Sequence, residues 1–203
     1  VNPGHYIALE GVEGAGKSTV AARIVERLET LGDHAIVVRE PGGTQTGEGI
    51  RQVLLHGNDM ADWTEALLFA AQRAQLADEV IRPALEAGSW VIGDRSVYSS
   101  LAYQGWAREL GLHEVRAVNE AGLQGVWPEV VVLLRIDPDE GLGREDGTDR
   151  IGGQGLRFQR RVAEAYEHLA VAEPLRFSVI DATNPIERVV DDVIVALRER
   201  WLF

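Results

Sequence analysis

The chain has 203 residues, 45% of them hydrophobic, and 20 basic against 32 acidic side chains leave a formal charge of −12. A chain of this size makes one globular domain over residues 1–203 and buries roughly 70% of its unfolded surface. The acid excess argues against a nucleic acid as main partner, and the lack of cysteine excludes disulfides and thiolate metal sites. No apolar run is long enough to span a membrane, and Val1–Tyr6 is too short and polar for a signal peptide. The expectation is a cytoplasmic protein with no membrane partner.

Tyr6–Glu10 reads as a first strand, followed by Gly11-x-x-x-x-Gly16-Lys17-Ser18 and a helical pattern from Thr19 to Leu31. That is a phosphate-binding loop (P-loop) in its strand-before, helix-after setting. Gly11, Gly14, Ala15 and Gly16 let successive backbone N–H groups curl around the phosphates of ATP, and the helix start at Lys17, Ser18 and Thr19 adds partial positive charge. Lys17 is expected at the β- and γ-phosphates and Ser18 at Mg²⁺. Gly32-Asp33 stops the helix, Ala35–Arg39 is a second strand, and Glu40–Thr44 is a loop by its Pro and Gly content. A short helix follows over about Glu48–Leu55. Asp62 then caps a long helix, Trp63–Glu86, with a bend at Pro83. Trp90–Gly93 is the third strand, ending at Asp94-Arg95. Helices follow over about Ser99–Gly105 and His113–Gly122. Val130–Ile136 and Phe177–Asp181 are the remaining strands, and Ile186–Trp201 is the closing helix.

Continuously apolar strands alternating with helices predict a doubly wound α/β fold, a five-stranded parallel sheet flanked by helices. Ligands then belong beyond the carboxyl ends of the strands, where Gly11–Ser18, Arg39–Thr44 and Asp94-Arg95 fall. Gly141–Gly155, with six glycines and two arginines, breaks the rhythm. It is either a flexible surface loop or a short mobile lid that carries arginine to the phosphates.

The acceptor is read from the remaining side chains. Phosphoryl transfer to a neutral hydroxyl needs a base, whereas a phosphate acceptor is already anionic. The chain has neither a protein-kinase catalytic signature nor an Asn-Lys-x-Asp guanine motif. Phe69 and Arg73 share a helix face. They either stack on a base and pair with its phosphate, or serve as a core aromatic and a solvated charge. Asp94 is a candidate to hold Mg²⁺ through water and Arg95 to clamp the acceptor phosphate; the alternative is a mutually neutralising pair.

Four segments, Glu10-Gly-Val-Glu-Gly-Ala-Gly-Lys-Ser-Thr19, Arg39-Glu-Pro-Gly-Gly-Thr44, Phe69-x-x-x-Arg73 and Gly93-Asp-Arg-Ser-Val-Tyr-Ser-Ser-Leu-Ala-Tyr-Gln-Gly105, together resemble the thymidylate kinase family. The resemblance runs in order along nearly the whole chain. It implies ATP + dTMP → ADP + dTDP with Mg²⁺, usually in a homodimer. Phe69 would stack on thymine, Arg73 would hold its edge and Ser100 would sit nearby. Tyr103 would crowd the sugar 2′ position. Arg39, Pro41, Ser99 and Gln104 complete the implied substrate contacts. Arg95 would meet the acceptor phosphate, and Glu13 the acceptor 3′-hydroxyl or the metal. With no arginine in the P-loop, catalytic arginine is expected from the lid, as Arg144 or Arg150, beside Lys17, Arg95 and Glu13. The lid is a few residues shorter and poorer in arginine than related lids. Gly152 stands where an acid is common, and Ser96 where an aromatic or His is usual. A kinase for another small monophosphate, or an ATP-driven switch without an acceptor site, are the competing readings.

Overall fold

Five strands, β1 (Tyr6–Glu10), β2 (Ala35–Arg39), β3 (Trp90–Asp94), β4 (Val130–Arg135) and β5 (Phe177–Asp181), pair in parallel in the order β2-β3-β1-β4-β5. The computed structural model describes residues 4–144 and 149–201. Every residue of β1 and β3 is buried, whereas the edge strands β2 and β5 are partly exposed. That difference is why the inner strands carry unbroken apolar runs. The register sets Leu9 opposite Asp94 and Glu10 opposite Leu133. The chain beyond β1 and the chain beyond β3 therefore emerge side by side. β1 has its partners on opposite sides through crossovers of opposite direction, so its carboxyl end is the switch point where such sheets open a crevice.

Helix α1 (Lys17–Thr30) leaves the P-loop and buries Val20, Ala21, Ile24 and Leu28, one face of a helical repeat. Helix α2 (Gln45–His56) starts at Thr44, whose hydroxyl accepts the Gly47 N–H at 2.9 Å. Helix α3 (Asp62–Leu76), a π-helical turn over Ala77–Ile81 and helix α4 (Arg82–Glu86) together form the expected long helix. The irregularity falls one turn before Pro83. Proline has no N–H for the preceding turn, and the widened turn absorbs the mismatch.

Helix α5 (Val97–Ser100) runs into a second π-helical stretch, Leu101–Ala107, in place of the single helix expected over Ser99–Gly105. Helix α6 is Leu112–Leu123. Helices α7 (Pro138–Leu142) and α8 (Leu156–Ala172) were not anticipated, and α9 (Ile186–Trp201) closes the chain. The segment expected as a lid thus begins in α7 and ends in a 3₁₀ turn at Gly152–Gln154; its residues 145–148 lie outside the described residues. At its root the backbone lies flat on the P-loop. A Cβ on Gly14 would stand 1.9 Å from the Gly141 carbonyl oxygen, and one on Gly141 2.4 Å from that of Glu13. Only glycine fits either side of that contact. No helix among the described residues is long and apolar enough to cross a membrane.

Candidate active site

A cavity of about 570 Å³ opens at the carboxyl ends of β1, β2 and β3. Gly14, Gly16, Lys17, Ser18 and Thr19 line it from the P-loop. Arg39, Pro41 and Arg51 line it beyond β2, Asp94, Arg95, Ser99, Ser100, Tyr103 and Gln104 beyond β3, and Phe69 from α3. Its size suits a small-molecule site. Phe69 is at once a core residue and a cavity wall. Gly11, Ala15, Arg73 and Arg150, expected in the site, are not among the lining residues.

Lys17 is the only lysine of the chain. Its Nζ donates to the Gly11 and Val12 carbonyl oxygens at 3.2 and 2.8 Å, so the loop closes on its own cation. Burial, together with the nearby Arg95 charge, lowers the ammonium to about 8 against the pull of Glu13 and Asp94. The Ser18 hydroxyl donates to Asp94 Oδ2 at 2.5 Å, which brings two hard oxygen donors together at the end of β3.

Arg95 has a left-handed backbone, with φ of 74°. Such a conformation costs a side-chain-bearing residue on the order of 1 kcal/mol and persists where neighbours enforce it. Here the Arg95 N–H is held by the Leu9 carbonyl at 3.1 Å. The turn aims the guanidinium back at the P-loop: Nη2 is 2.7 Å from Glu13 Oε1, and Nη1 is 3.4 Å from the Gly11 oxygen and 3.3 Å from Ser99 Oγ. The guanidinium also lies over the Tyr103 ring, 5.2 Å from its centre, and the Tyr103 hydroxyl donates to Glu13 at 3.3 Å. Burial works to raise the Glu13 carboxyl, but Arg95 and Lys17 outweigh it and hold it below the ordinary range.

Arg73 is placed differently from expectation. It is 1% exposed, and its Nε lies 2.6 Å from Glu40 Oε2 as an ion pair off the hydrogen-bond axis. Nη1 donates to Ser100 Oγ and Asn119 Oδ1, and Nη2 to the Ser96 carbonyl. Gln72 adds a bond to Glu40 Oε2 at 2.9 Å. Burial raises the Glu40 carboxyl against the Arg73 charge. Arg73 is thus neither a solvated charge nor a group facing the cavity. It ties α3 to α5 and α6.

The two arginines of the glycine-rich segment part company. Arg144 lines the cavity, with Nη2 on Glu140 at 2.7 Å and Nη1 on the Ala182 carbonyl at 3.3 Å. Arg150 turns away from it. Its backbone N–H and its Nε donate to the Leu55 and Leu54 carbonyls at 3.1 and 2.8 Å, capping the end of α2, where a helix leaves acceptors unfilled and favours positive charge. Its Nη2 reaches Glu65 Oε2 at 2.7 Å. Glu65, 1% exposed, also takes Arg108 through Nε and Nη2 and Gln104 through Nε2. Burial alone would raise this carboxyl; the hydrogen bonds from Arg108, Gln104 and Arg150 outweigh it and lower it. Gly152, in the place usual for an acid, gives its N–H to Asp149 Oδ1 at 2.8 Å.

Sequence reasoning missed Glu10, Glu65 and Arg51. Glu10 ends β1 fully buried; Ser96 Oγ donates to it at 2.7 Å, Ser99 Oγ at 2.6 Å and Tyr166 Oη at 2.7 Å. This explains the serine at position 96, which also accepts the Tyr98 N–H as the cap of α5. An acid ending an apolar strand just before Gly11 was the available signal. Arg51 lines the cavity and donates to the Pro41 carbonyl at 2.7 Å; nothing in the pattern of α2 singled it out.

The family model described as thymidylate kinase matches residues 9–193. Relatives bearing that name include one from Bacillus pumilus, 41% identical over 97% of this chain and 96% of its own length. Another, from Caldanaerobacter subterraneus, is 41% identical with the same coverage of both chains. A third, from Bifidobacterium longum, is 47% identical over 92% of this chain and 93% of its own. With a P-loop and a facing arginine on one parallel sheet, and with matches of this extent, the chain belongs to the thymidylate kinase family.

Proposed function

We propose that the whole chain acts as one kinase domain whose cavity carries the reaction of this family, transfer of the γ-phosphoryl of ATP to dTMP. The observation that supports it best is Arg95: a left-handed turn beyond β3 holds its guanidinium against Glu13 and the Gly11 carbonyl, the same oxygen that Lys17 bonds, at the cavity wall. ATP binds with its phosphates on the P-loop, where Lys17 exchanges the Gly11 and Val12 carbonyls for phosphate oxygens. The acceptor phosphate meets Arg95. Its oxygen is already anionic, so the site supplies charge neutralisation and alignment in place of a strong base.

Ser18 and Asp94 suit Mg²⁺, which binds oxygen and takes few protein ligands beside phosphates and water. No group of three His, Cys, Asp or Glu side chains able to hold a metal occurs among the described residues. Held by Ser18 and Asp94, Mg²⁺ would supply charge neutralisation at the donor phosphates. Glu13 orients Arg95 and Tyr103 towards the acceptor. The base lies on Phe69 beside Ser100 and Gln104, Tyr103 disfavours a 2′-hydroxyl, and Arg39 and Pro41 complete the wall. Of the two lid arginines, Arg144 is the one at the cavity and the one we assign to the transferred phosphoryl.

A homodimer through α2 and α3 is part of this reading. These helices pack together and leave Val53, Trp63 and Leu67 exposed, the last two one turn apart on one face. Cytoplasmic residence is the compartment that goes with the substrates. A coupled assay with ATP and a panel of monophosphates tests the assignment: activity peaks on dTMP, and dUMP, lacking one methyl group, is poorer by roughly 10–200-fold. A peak on GMP or CMP, or ATP turnover indifferent to dTMP, overturns it.

A further inference from the structure

Glu65 is not among the residues that line the cavity, yet it holds one that is. Gln104 lines the cavity from the π-helical stretch, is 1% exposed, and gives its amino group to Glu65 Oε1 at 2.8 Å. The carboxylate is filled on all sides: Oε1 also takes Arg108 Nε at 2.7 Å, and Oε2 takes Arg108 Nη2 at 2.9 Å and Arg150 Nη2 at 2.7 Å. Held ionised by two arginines, it accepts and cannot donate. A carboxamide has one donor end and one acceptor end. One Nε2 hydrogen is committed to Glu65, which fixes the way the amide points and turns its carbonyl oxygen to the other side, and among the described residues nothing donates to that oxygen.

We propose that Glu65 is a positioning residue for base selection: acting through Gln104, it fixes the amide so that the cavity presents a hydrogen-bond acceptor to the ring nitrogen N3 of a pyrimidine. The inference rests on the reading that the base lies on Phe69. A 4-oxo pyrimidine such as thymine carries hydrogen on N3 and satisfies the acceptor. A 4-amino pyrimidine offers a lone pair there, and two acceptors then face each other with no proton between them. Rejection follows because a buried acceptor left without a donor is costly.

The test compares dTMP with 5-methyl-dCMP, which share the methyl group and differ only at position 4 and N3. The wild-type enzyme favours dTMP in kcat/KM. Glu65→Gln can accept or donate, frees the Gln104 amide to turn over, and narrows the ratio by about tenfold or more, with a gain on 5-methyl-dCMP. Glu65→Asp keeps an acceptor-only partner and holds the ratio near wild type. Gln104→Leu removes the reader, leaves the arginines on Glu65, and narrows the ratio even where Glu65→Gln is unstable. In the Gln104→Leu background Glu65→Gln changes the ratio no further, because the two act in series.

A merely structural Glu65 would lower both rates together and leave the ratio unmoved, and that result overturns the proposal. So does a ratio unmoved in Gln104→Leu, which would shift the reading to the other unpartnered acceptor on the wall, Glu40 Oε1. If the wild-type enzyme turns over neither nucleotide, it is the proposed dTMP kinase reaction that fails.

Discussion

Arg95 with Glu13 and Arg73 with Glu40 are the same two side chains in different surroundings. The Arg95 pair is 15% and 24% exposed and the Arg73 pair 2% and 2%. Arg95 makes one short bond, to Glu13, and two longer ones at 3.3 and 3.4 Å, so it keeps donors for a ligand. Arg73 is held from four directions, by Glu40, Ser100, Asn119 and the Ser96 carbonyl. The contrast separates a pair left open to a ligand from a pair that shapes. A desolvated, saturated pair is costly to form and more costly to break. An incompletely filled pair at a cavity wall exchanges partners readily. Arg150 on the saturated Glu65 belongs with the Arg73 pair, although it sits in the segment where the sequence pointed to chemistry.

The sharpest way to break this distinction is Arg73→Met, which leaves the Glu40 carboxylate buried and unpaired. It is expected to cost about 3–5 kcal/mol in urea unfolding. A loss under about 1 kcal/mol, the range of exposed pairs, would put Arg73 with Arg95 instead.

Arg150→Ala comes next. It removes a hydrogen bond to a charged group and the cap of α2, together about 1.5–3 kcal/mol in holding this segment on α2 and α3. Glu65 keeps Arg108 and Gln104, so no buried charge is orphaned. The expected result is a fall of about tenfold in kcat/KM with faster amide exchange over residues 149–154. A fall of roughly 10²–10³ in kcat with exchange unchanged would mean that Arg150 reaches the transferred phosphoryl.

The smallest effect is a titration. As Lys17 is the only lysine, selectively labelled protein gives one lysine side-chain signal, with a midpoint near the value of about 8 set by burial and Arg95. This value lies below that of an unfolded lysine, so the unfolded chain binds the extra proton. Stability of the ligand-free protein therefore rises as pH increases from about 8 towards about 10.4. Bound phosphate favours the charged form and moves the midpoint up. A ligand-free midpoint already at the ordinary lysine value would contradict the burial of Lys17.

The sheet was legible in the sequence because inner parallel strands must be apolar throughout, and all five runs became strands. The P-loop and Asp94-Arg95 were legible for the same reason: their chemistry sits at strand ends, where position follows from the sheet register. Helix α8 was not. It follows the glycine-rich segment with Gly155 in place of a polar cap, and its apolar signal is only Val162, Ala165, Tyr166 and Leu169 on one face. The fates of Arg73, Arg144 and Arg150 were illegible on different grounds. An arginine looks alike in sequence whether a buried glutamate 33 or 85 residues away saturates it or not. Glu65 and Glu40 decide that, and neither has a local signature.

The account turns on Arg95 being the arginine that acts, and the turnover of Arg95→Ala at saturating ATP and dTMP tests it most directly. With the fold verified by unfolding, kcat falls by roughly 10²–10³, the scale of removing one preorganised charge-stabilising donor. Near-normal turnover in a folded Arg95→Ala enzyme would contradict it.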